Sequence, residues 1–398
     1  MQNIRRLILA KFLSSLYFTV PIQTLFFFAK GLKFSEVMLL ESVLLIGILL
    51  FEVPTGMIAD RIGRKWSLVS GALIGLIAWV PWFLADGFTL FAISFFFFGI
   101  AIAFQSGCDQ ALIFDSLKEE GHEQEMQKVI GKYFGSMTLA TAVASLIGGY
   151  LAASQNLGAF YVLYTLNVIM QCIGFLVLLT VREAKLTQEG YEKEHQTEKS
   201  MKFFLDGLKH LLHHRKLRRI FLLSVFTLPF SFVLVYIFQP YFKVAGVSPL
   251  WFGVAVSIAS LLSFVMKISA YRIERLCGVA KGAFLVSALP GVVWLTMAVV
   301  FNPLFAVVLY ILNDATGNLR DPIFSDYLNR HIDSRNRATV LSIISLAGSL
   351  YSVIMRPIIG VLADIDLRYG FVLMAGIILI AAIFFRITEN DVEATRSS

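Results

Sequence analysis

The sequence predicts an all-α membrane protein: twelve transmembrane helices in two pseudo-symmetric six-helix bundles, with both termini in the cytoplasm. Three observations carry that prediction. Of 398 residues, 57% are hydrophobic and only 15% are charged, whereas a soluble domain carries about 25% charged residues. Twelve apolar segments recur along the chain, and each is long enough to cross the hydrocarbon, which takes about 20 helical residues. Features of the first half also return 211 residues later in the second.

The segments have approximate cores at 8–29, 37–58, 67–85, 88–114, 130–153 and 158–180, then 219–242, 250–271, 281–300, 303–326, 338–362 and 369–387. All should be helices, because lipid offers unsatisfied backbone groups no partner. The first run is too long for a signal peptide and lacks a small-residue cleavage site, so it is expected to remain as a span. This divides the chain into an N-terminal bundle (1–181), a cytoplasmic linker (182–218) and a C-terminal bundle (219–398). In the linker, Arg182 to Ser200 is polar. From Met201 to Arg219, Phe204, Leu208, Leu211 and Leu212 recur at helical spacing opposite basic groups, which reads as an amphipathic helix on the inner leaflet. His210, His213 and His214 have a spacing that a metal could use, but no acidic or cysteine ligand stands nearby, so they read as part of a basic face. Cys108, Cys172 and Cys277 are odd in number and are expected to be free thiols.

Charge sets the orientation. With the N-terminus inside, 27 of the 34 basic residues fall on the cytoplasmic side, and only Lys30, Lys33, Lys243 and Arg368 fall outside. The net charge of +7 is thereby topogenic: the basic residues form no single stripe for nucleic acid. The repeat is visible in Ala59-Asp-Arg-Ile-Gly-Arg64 against Ala270-Tyr-Arg-Ile-Glu-Arg275, and in Gly149-Tyr-Leu-Ala152 against Gly360-Val-Leu-Ala363. Gly107 and Ile113-Phe114 match Gly317 and Ile323-Phe324 at nearly the same offset. Parallel halves with a site near the membrane midplane are the expected consequence.

Between the second and third spans stand Gly56, Asp60, Arg61, Gly63, Arg64 and Lys65. They spell Gly-x-x-x-Asp-Arg-x-Gly-Arg-Lys, and over its whole length the chain resembles the major facilitator superfamily. The extended pattern, beginning at Glu52 and Pro54, is similar to that of the clostridial P-class tetracycline efflux proteins. The Gly-Pro pair that the family's drug antiporters carry in span five is replaced by Gly148-Gly149 without a proline. The resemblance implies a charge relay at the cytoplasmic end. Asp60 would face the start of span eleven near Arg337 to Val340, and Arg64 would bridge Asp60 and Asp115. This would latch the protein while it faces outward.

An ionisable side chain at bilayer depth costs about 2.5–3.5 kcal/mol or more, so it faces the interior and marks a candidate site. Glu41 and Glu52 lie about 20° apart around span two, on one face, suited either to a proton path or to tertiary hydrogen bonds. Asp109, with Gln105 one turn back, and Asp314 are the further proton-coupling candidates; Asp109 could instead make a structural bond to Lys132. Asp314 shares a face with Asn318 and Asp321, and Asn313 adjoins it. Arg320 and Asp321 could pair with each other, and Lys267 could snorkel inward. Arg356, before Pro357, could hold an anionic substrate or neutralise Asp314 or Glu41. Tyr17, Gln23, Tyr236, Gln239 and Tyr241 complete the cavity candidates.

No nucleotide-binding Gly-x-x-x-x-Gly-Lys-Ser/Thr loop, His-Glu-x-x-His run or Gly-x-Ser-x-Gly elbow occurs, and no histidine lies inside a span. The expectation is therefore a non-enzymatic secondary transporter, monomeric, in a bacterial cytoplasmic membrane. It would need no cofactor, would draw on the proton gradient, and would export a small organic compound. Proton-coupled uptake of an anionic nutrient and a non-transporting receptor are the rival readings.

Overall fold

The computed structural model describes residues 1–154, 156–184, 209, 211, 213, 215–227, 229–320, 323–324, 327–328, 332 and 337–387. Within these, the side chains of 215, 270–271, 273–277, 279 and 337–338 are not described. Most of the predicted amphipathic segment, with His210, His214 and Asp321, lies outside the described residues, as do the side chains of Tyr271, Arg275, Cys277 and Arg337.

Fifteen α-helices occur among the described residues. The first eight are α1 (Gln2–Ser14), α2 (Gln23–Ala29), α3 (Phe34–Ile62), α4 (Arg64–Phe83), α5 (Phe88–Gln105), α6 (Cys108–Glu119), α7 (Met126–Leu151) and α8 (Leu157–Leu179). The rest are α9 (Arg215–Thr227), α10 (Phe230–Val244), α11 (Leu250–Cys277), α12 (Val279–Val299), α13 (Pro303–Asn318), α14 (Arg337–Ile365) and α15 (Leu367–Phe384). Ten helical stretches among the described residues are long and apolar enough to cross a membrane.

Of the remaining predicted segments, the first is not continuous and the tenth is only partly described. The 8–29 helix is replaced by α1 and α2 with turns at 15–22 between them. Pro21 gives the local reason: it has no N–H to donate and disfavours helical geometry at Val20. Among the described residues, the helix of the tenth runs from Pro303 to Asn318. Span four also breaks: Ser106 leaves helical geometry, and Gly107 takes φ +72° before α6 begins. Gln105 and Asp109 consequently do not share one helical face, as an unbroken span would require. No atom stands within 4 Å of a Cβ built at Gly107, so backbone conformation is the main obstacle to a larger residue there. Gly107→Ala is expected to cost about 1 kcal/mol, read as a small drop in melting temperature of the purified protein, with Gly107→Asn closer to the parent.

Helix starts follow their local chemistry. Asn156 accepts from Ala159 N–H at 2.7 Å, Asn302 accepts from Leu304 N–H at 3.1 Å with Pro303 in the first turn, and Asp366 accepts from Arg368 N–H at 2.9 Å. Each supplies a partner for a backbone donor that the helix itself leaves open.

The chain divides into two units: Met1–Gln196 with Ser248–Ser257, and Thr197–Val247 with Ile258–Ser398. In the first, α1 packs on α7 and α8, while α4 packs on α5 and α8. In the second, α9 packs on α14 and α15, while α12 packs on α13 and α15. For these helices the neighbours are the same when shifted by one half, so this part of the sequence repeat is also a packing repeat. The first unit is filled at one end by rings: Trp82 stacks on Phe26 at 5.8 Å between centroids and meets Tyr164 and Phe91 at 5.0 Å. At that end Lys30, in the α2–α3 loop, pairs with Asp86 at 3.3 Å and lies 5.4 Å over the Tyr161 ring. The Tyr161 hydroxyl, and secondarily Asp86, hold its pKa above the usual lysine value.

Candidate functional site

The signature hairpin lies at the other end of the first unit. The first helix of the hairpin, α3, ends at Ile62, Gly63 turns the chain at φ +94°, and α4 starts at Arg64. Asp60 and Arg61 are exposed, while Gly56, Arg64 and Lys65 are half-buried; Lys65 Nζ lies 4.7 Å over the Trp66 ring. Arg64 reaches α6, where it donates to the Ala111 carbonyl at 3.0 Å and forms an ion pair with the buried Asp115.

A further carboxylate closes this hairpin. Glu183, just past α8, accepts from Arg64 N–H at 3.0 Å and from Lys65 N–H at 2.9 Å. It caps the positive end of α4, where a negative charge is favoured. The turn at φ +94° demands glycine here, and a Cβ at Gly63 would also lie 2.7 Å from Glu183 Oε2 and push that carboxylate aside. Asn3 holds Glu183 in place by bonding both polar groups of the Arg182 backbone, at 2.8 and 3.0 Å, and it also donates to Ser116 Oγ at 2.9 Å. The sequence reading passed over Glu183, since 119 residues separate it from Arg64. Glu183→Ala should cost about 1 kcal/mol, the usual cost of a lost cap, seen as a lower melting temperature, and Glu183→Gln should cost less because it keeps an acceptor.

Span two carries Glu41 and Glu52 in different settings: Glu41 is 8% exposed, whereas Glu52 is exposed. Their shared helical face does not give them a shared environment, because what packs opposite each turn differs.

In the inner part of the unit, the break at Gly107 places Asp109 in the first turn of α6. Tyr133 of α7 and Lys11 of α1 both lie close enough to Asp109 for its charge to act on them. Lys11 Nζ also lies 5.5 Å from the centroid of the Tyr133 ring. Lys132, the partner in the alternative structural reading of Asp109, is on an exposed face of α7. Lys11 was counted only among the basic residues of the N-terminus. Its signal was position: it lies inside an apolar run, three residues before α1 ends. Near the α1–α2 turn, Tyr17 is 42% exposed and Gln23 is half-buried, as is Gln105 at the end of α5.

The second unit holds its own polar group. Ser263 of α11 donates to the Asp314 carboxylate on α13, Asn318 donates to Ser263 Oγ at 3.4 Å and to the Asp314 carbonyl at 2.8 Å, and the Lys267 charge acts on Asp314. Asn313 is buried, with its amide 3.7 Å from Met297 Sδ. Arg356 of α14 is 4% exposed, with its guanidinium 5.6 Å from the Phe232 ring centroid. Arg320 is buried and donates to Ser231 and to the Gly317 carbonyl. Tyr236, Gln239 and Tyr241 are buried on α10; Gln239 donates to the Val235 carbonyl at 3.3 Å and Tyr241 to the Val300 carbonyl at 2.6 Å.

Residues 7–276 match the family model of the Major Facilitator Superfamily. Over 385 residues, 94% of this chain and 93% of its relative, the sequence is 23% identical to YxaM of Bacillus subtilis, an uncharacterized MFS-type transporter. Over 167 residues, 41% of each chain, it is 26% identical to the multidrug resistance protein MdtL of Escherichia coli. The crystal structure of the nucleoside transporter NupG aligns over the full length of both chains with a TM-score of 0.72 at 14% identity, a likeness of fold. With the signature hairpin, the repeated all-helical units and the family match in agreement, this chain belongs to the Major Facilitator Superfamily and is a multi-pass membrane transporter, not an enzyme.

Proposed function

We propose that the chain is a proton-coupled exporter of a small organic compound, working by alternating access as a monomer in a bacterial cytoplasmic membrane, with both termini inside. The observation that carries this reading is an acid set near a lysine in each unit: Asp109 with Lys11 and Tyr133, and Asp314 with Lys267 and Ser263. A carboxylate away from bulk water can carry a proton if its counter-charge and hydrogen-bond donors move during the cycle. Glu41 and Glu52 would extend the path. Tyr17, Gln23, Gln105, Tyr236, Gln239, Asn313, Asn318 and Arg356 are the proposed cavity groups. The chain would act as an N-terminal bundle (1–181), a linker (182–218) and a C-terminal bundle (219–398). Arg64 and Asp115, with Asp60, would form the inner latch, and Gly56, Arg61, Gly63 and Lys65 would shape it.

Export is favoured by the extended signature and by the partial likeness to the multidrug resistance protein MdtL. Uptake is the second reading, favoured by the buried Arg356, a donor fit for a carboxylate or phosphate. Proteoliposomes with an imposed pH gradient separate the two. Adding a panel of organic cations, neutral drugs and small organic acids should dissipate the gradient for at least one class, and the direction of coupled flux assigns antiport or symport. Binding without any flux would overturn both readings and leave a receptor.

A further inference from the structure

The interruption of span one is built, not merely tolerated. Irregular backbone at bilayer depth persists only where protein or a wet cavity satisfies its polar groups. The chain's own carbonyls take the N–H groups of Ser15, Leu16, Tyr17 and Ile22, and a side-chain amide takes that of Phe18. Asn167, on α8 and fully buried, accepts from Phe18 N–H at 2.8 Å and donates to Thr19 Oγ1 at 2.8 Å. On the neighbouring α7, Gly148 leaves room for the same turn: a Cβ there would lie 1.8 Å from the Phe18 carbonyl oxygen. From Ser15 to Ile22 six residues are buried and Val20 is half-buried, while Tyr17 alone is exposed.

We propose that Asn167 is the positioning residue of this turn and thereby sets the exposure of Tyr17, one of the cavity groups proposed above. Unwinding the chain keeps the neighbours of Tyr17 packed while Tyr17 itself is 42% exposed. Tyrosine then offers a ring face and one hydroxyl, which suits a ligand with an apolar or aromatic face beside a hydrogen-bonding group. That ligand's identity as a transported compound rests on the function proposed above; the positioning by Asn167 does not.

The test uses the full chain in membrane vesicles, with Tyr17→Cys, Cys108→Ser and Cys277→Ser, and with the exposed Cys172 of α8 retained as a reference. The probe is N-ethylmaleimide. Asn167→Ala should change the labelling rate at position 17 by about fivefold or more, the scale of population shift that losing a buried hydrogen bond produces. Cys172 should keep its rate. Asn167→Asp, which keeps an acceptor for Phe18 N–H, should return position 17 towards the parental rate. An unchanged rate at position 17, with Cys172 also unchanged, overturns the proposal. If Asn167→Ala disturbs Cys172 as well, Thr19→Val decides, because it removes one partner of the amide without touching α8: a shift at position 17 supports the proposal and no shift overturns it. A chain that responds as expected yet moves no compound under a pH gradient keeps the positioning role for Asn167 and loses only the transport reading.

Discussion

Asp314→Asn is expected to abolish gradient-driven transport while leaving the protein folded. The amide keeps an acceptor for Ser263 Oγ–H, so the bond between α11 and α13 has a replacement. What is lost is the charge that faces Lys267 and the capacity to take up and release a proton. Initial rates of accumulation should fall about 100-fold, equivalent to about 2.7 kcal/mol. Counterflow exchange of the same compound, which needs no net proton movement, should persist. Loss of both activities would assign Asp314 to substrate binding or folding, and retention of both would remove it from the coupling path. Asp109→Asn should follow the same pattern if the first unit also carries the proton, and intact gradient-driven transport in that variant would confine coupling to the second.

The second large effect is expected at the hairpin, where the two partners are unequally buried. The Asp115 side chain is 9% exposed and that of Arg64 is 23% exposed. Arg64→Ala leaves a buried carboxylate without its cation and should cost about 2–3 kcal/mol, below the 3–5 found when a fully buried pair is broken. Asp115→Asn should cost less, because the guanidinium is more exposed and retains the Ala111 carbonyl. The double variant should therefore be less destabilised than the sum of the singles, by about 1–3 kcal/mol. Thermal unfolding of the four proteins closes this cycle. Strict additivity would show that the pair contributes nothing beyond its members. The latch reading needs a separate result: Asp60→Ala should shift the inward–outward balance in cysteine-accessibility measurements, and an unshifted balance would leave the hairpin as a structural and topogenic element.

The two sites were unequally visible in the primary structure. Arg64 and Asp115 followed from a motif whose resemblance names both partners. The setting of Asp109 did not, because Lys11 stands almost a hundred positions earlier and reads, locally, as one more inner-side basic residue. Glu183 was hidden for the same reason: it follows span six and looks like linker. Glu41 and Glu52 show the converse. Helical geometry placed them correctly on one face, but burial depends on the neighbour opposite each turn, which the sequence of α3 does not contain.

Hydropathy, basic-residue bias and the signature hairpin determined on their own that this is a helical, internally repeated membrane transporter of a known family. Those signals are local or periodic, and a bilayer leaves a chain of this composition few alternatives to helices. Where the helices break was decided by tertiary structure. Pro21 and Gly107 permit interruptions, but in span one Asn167 meets the freed Phe18 N–H and Gly148 leaves room for the Phe18 carbonyl, both from helices distant in sequence. The same holds for the charges: Asp109 with Lys11, Glu183 with the start of α4, and Asp314 with Ser263 are joined across separate helices, and only packing decides which faces meet.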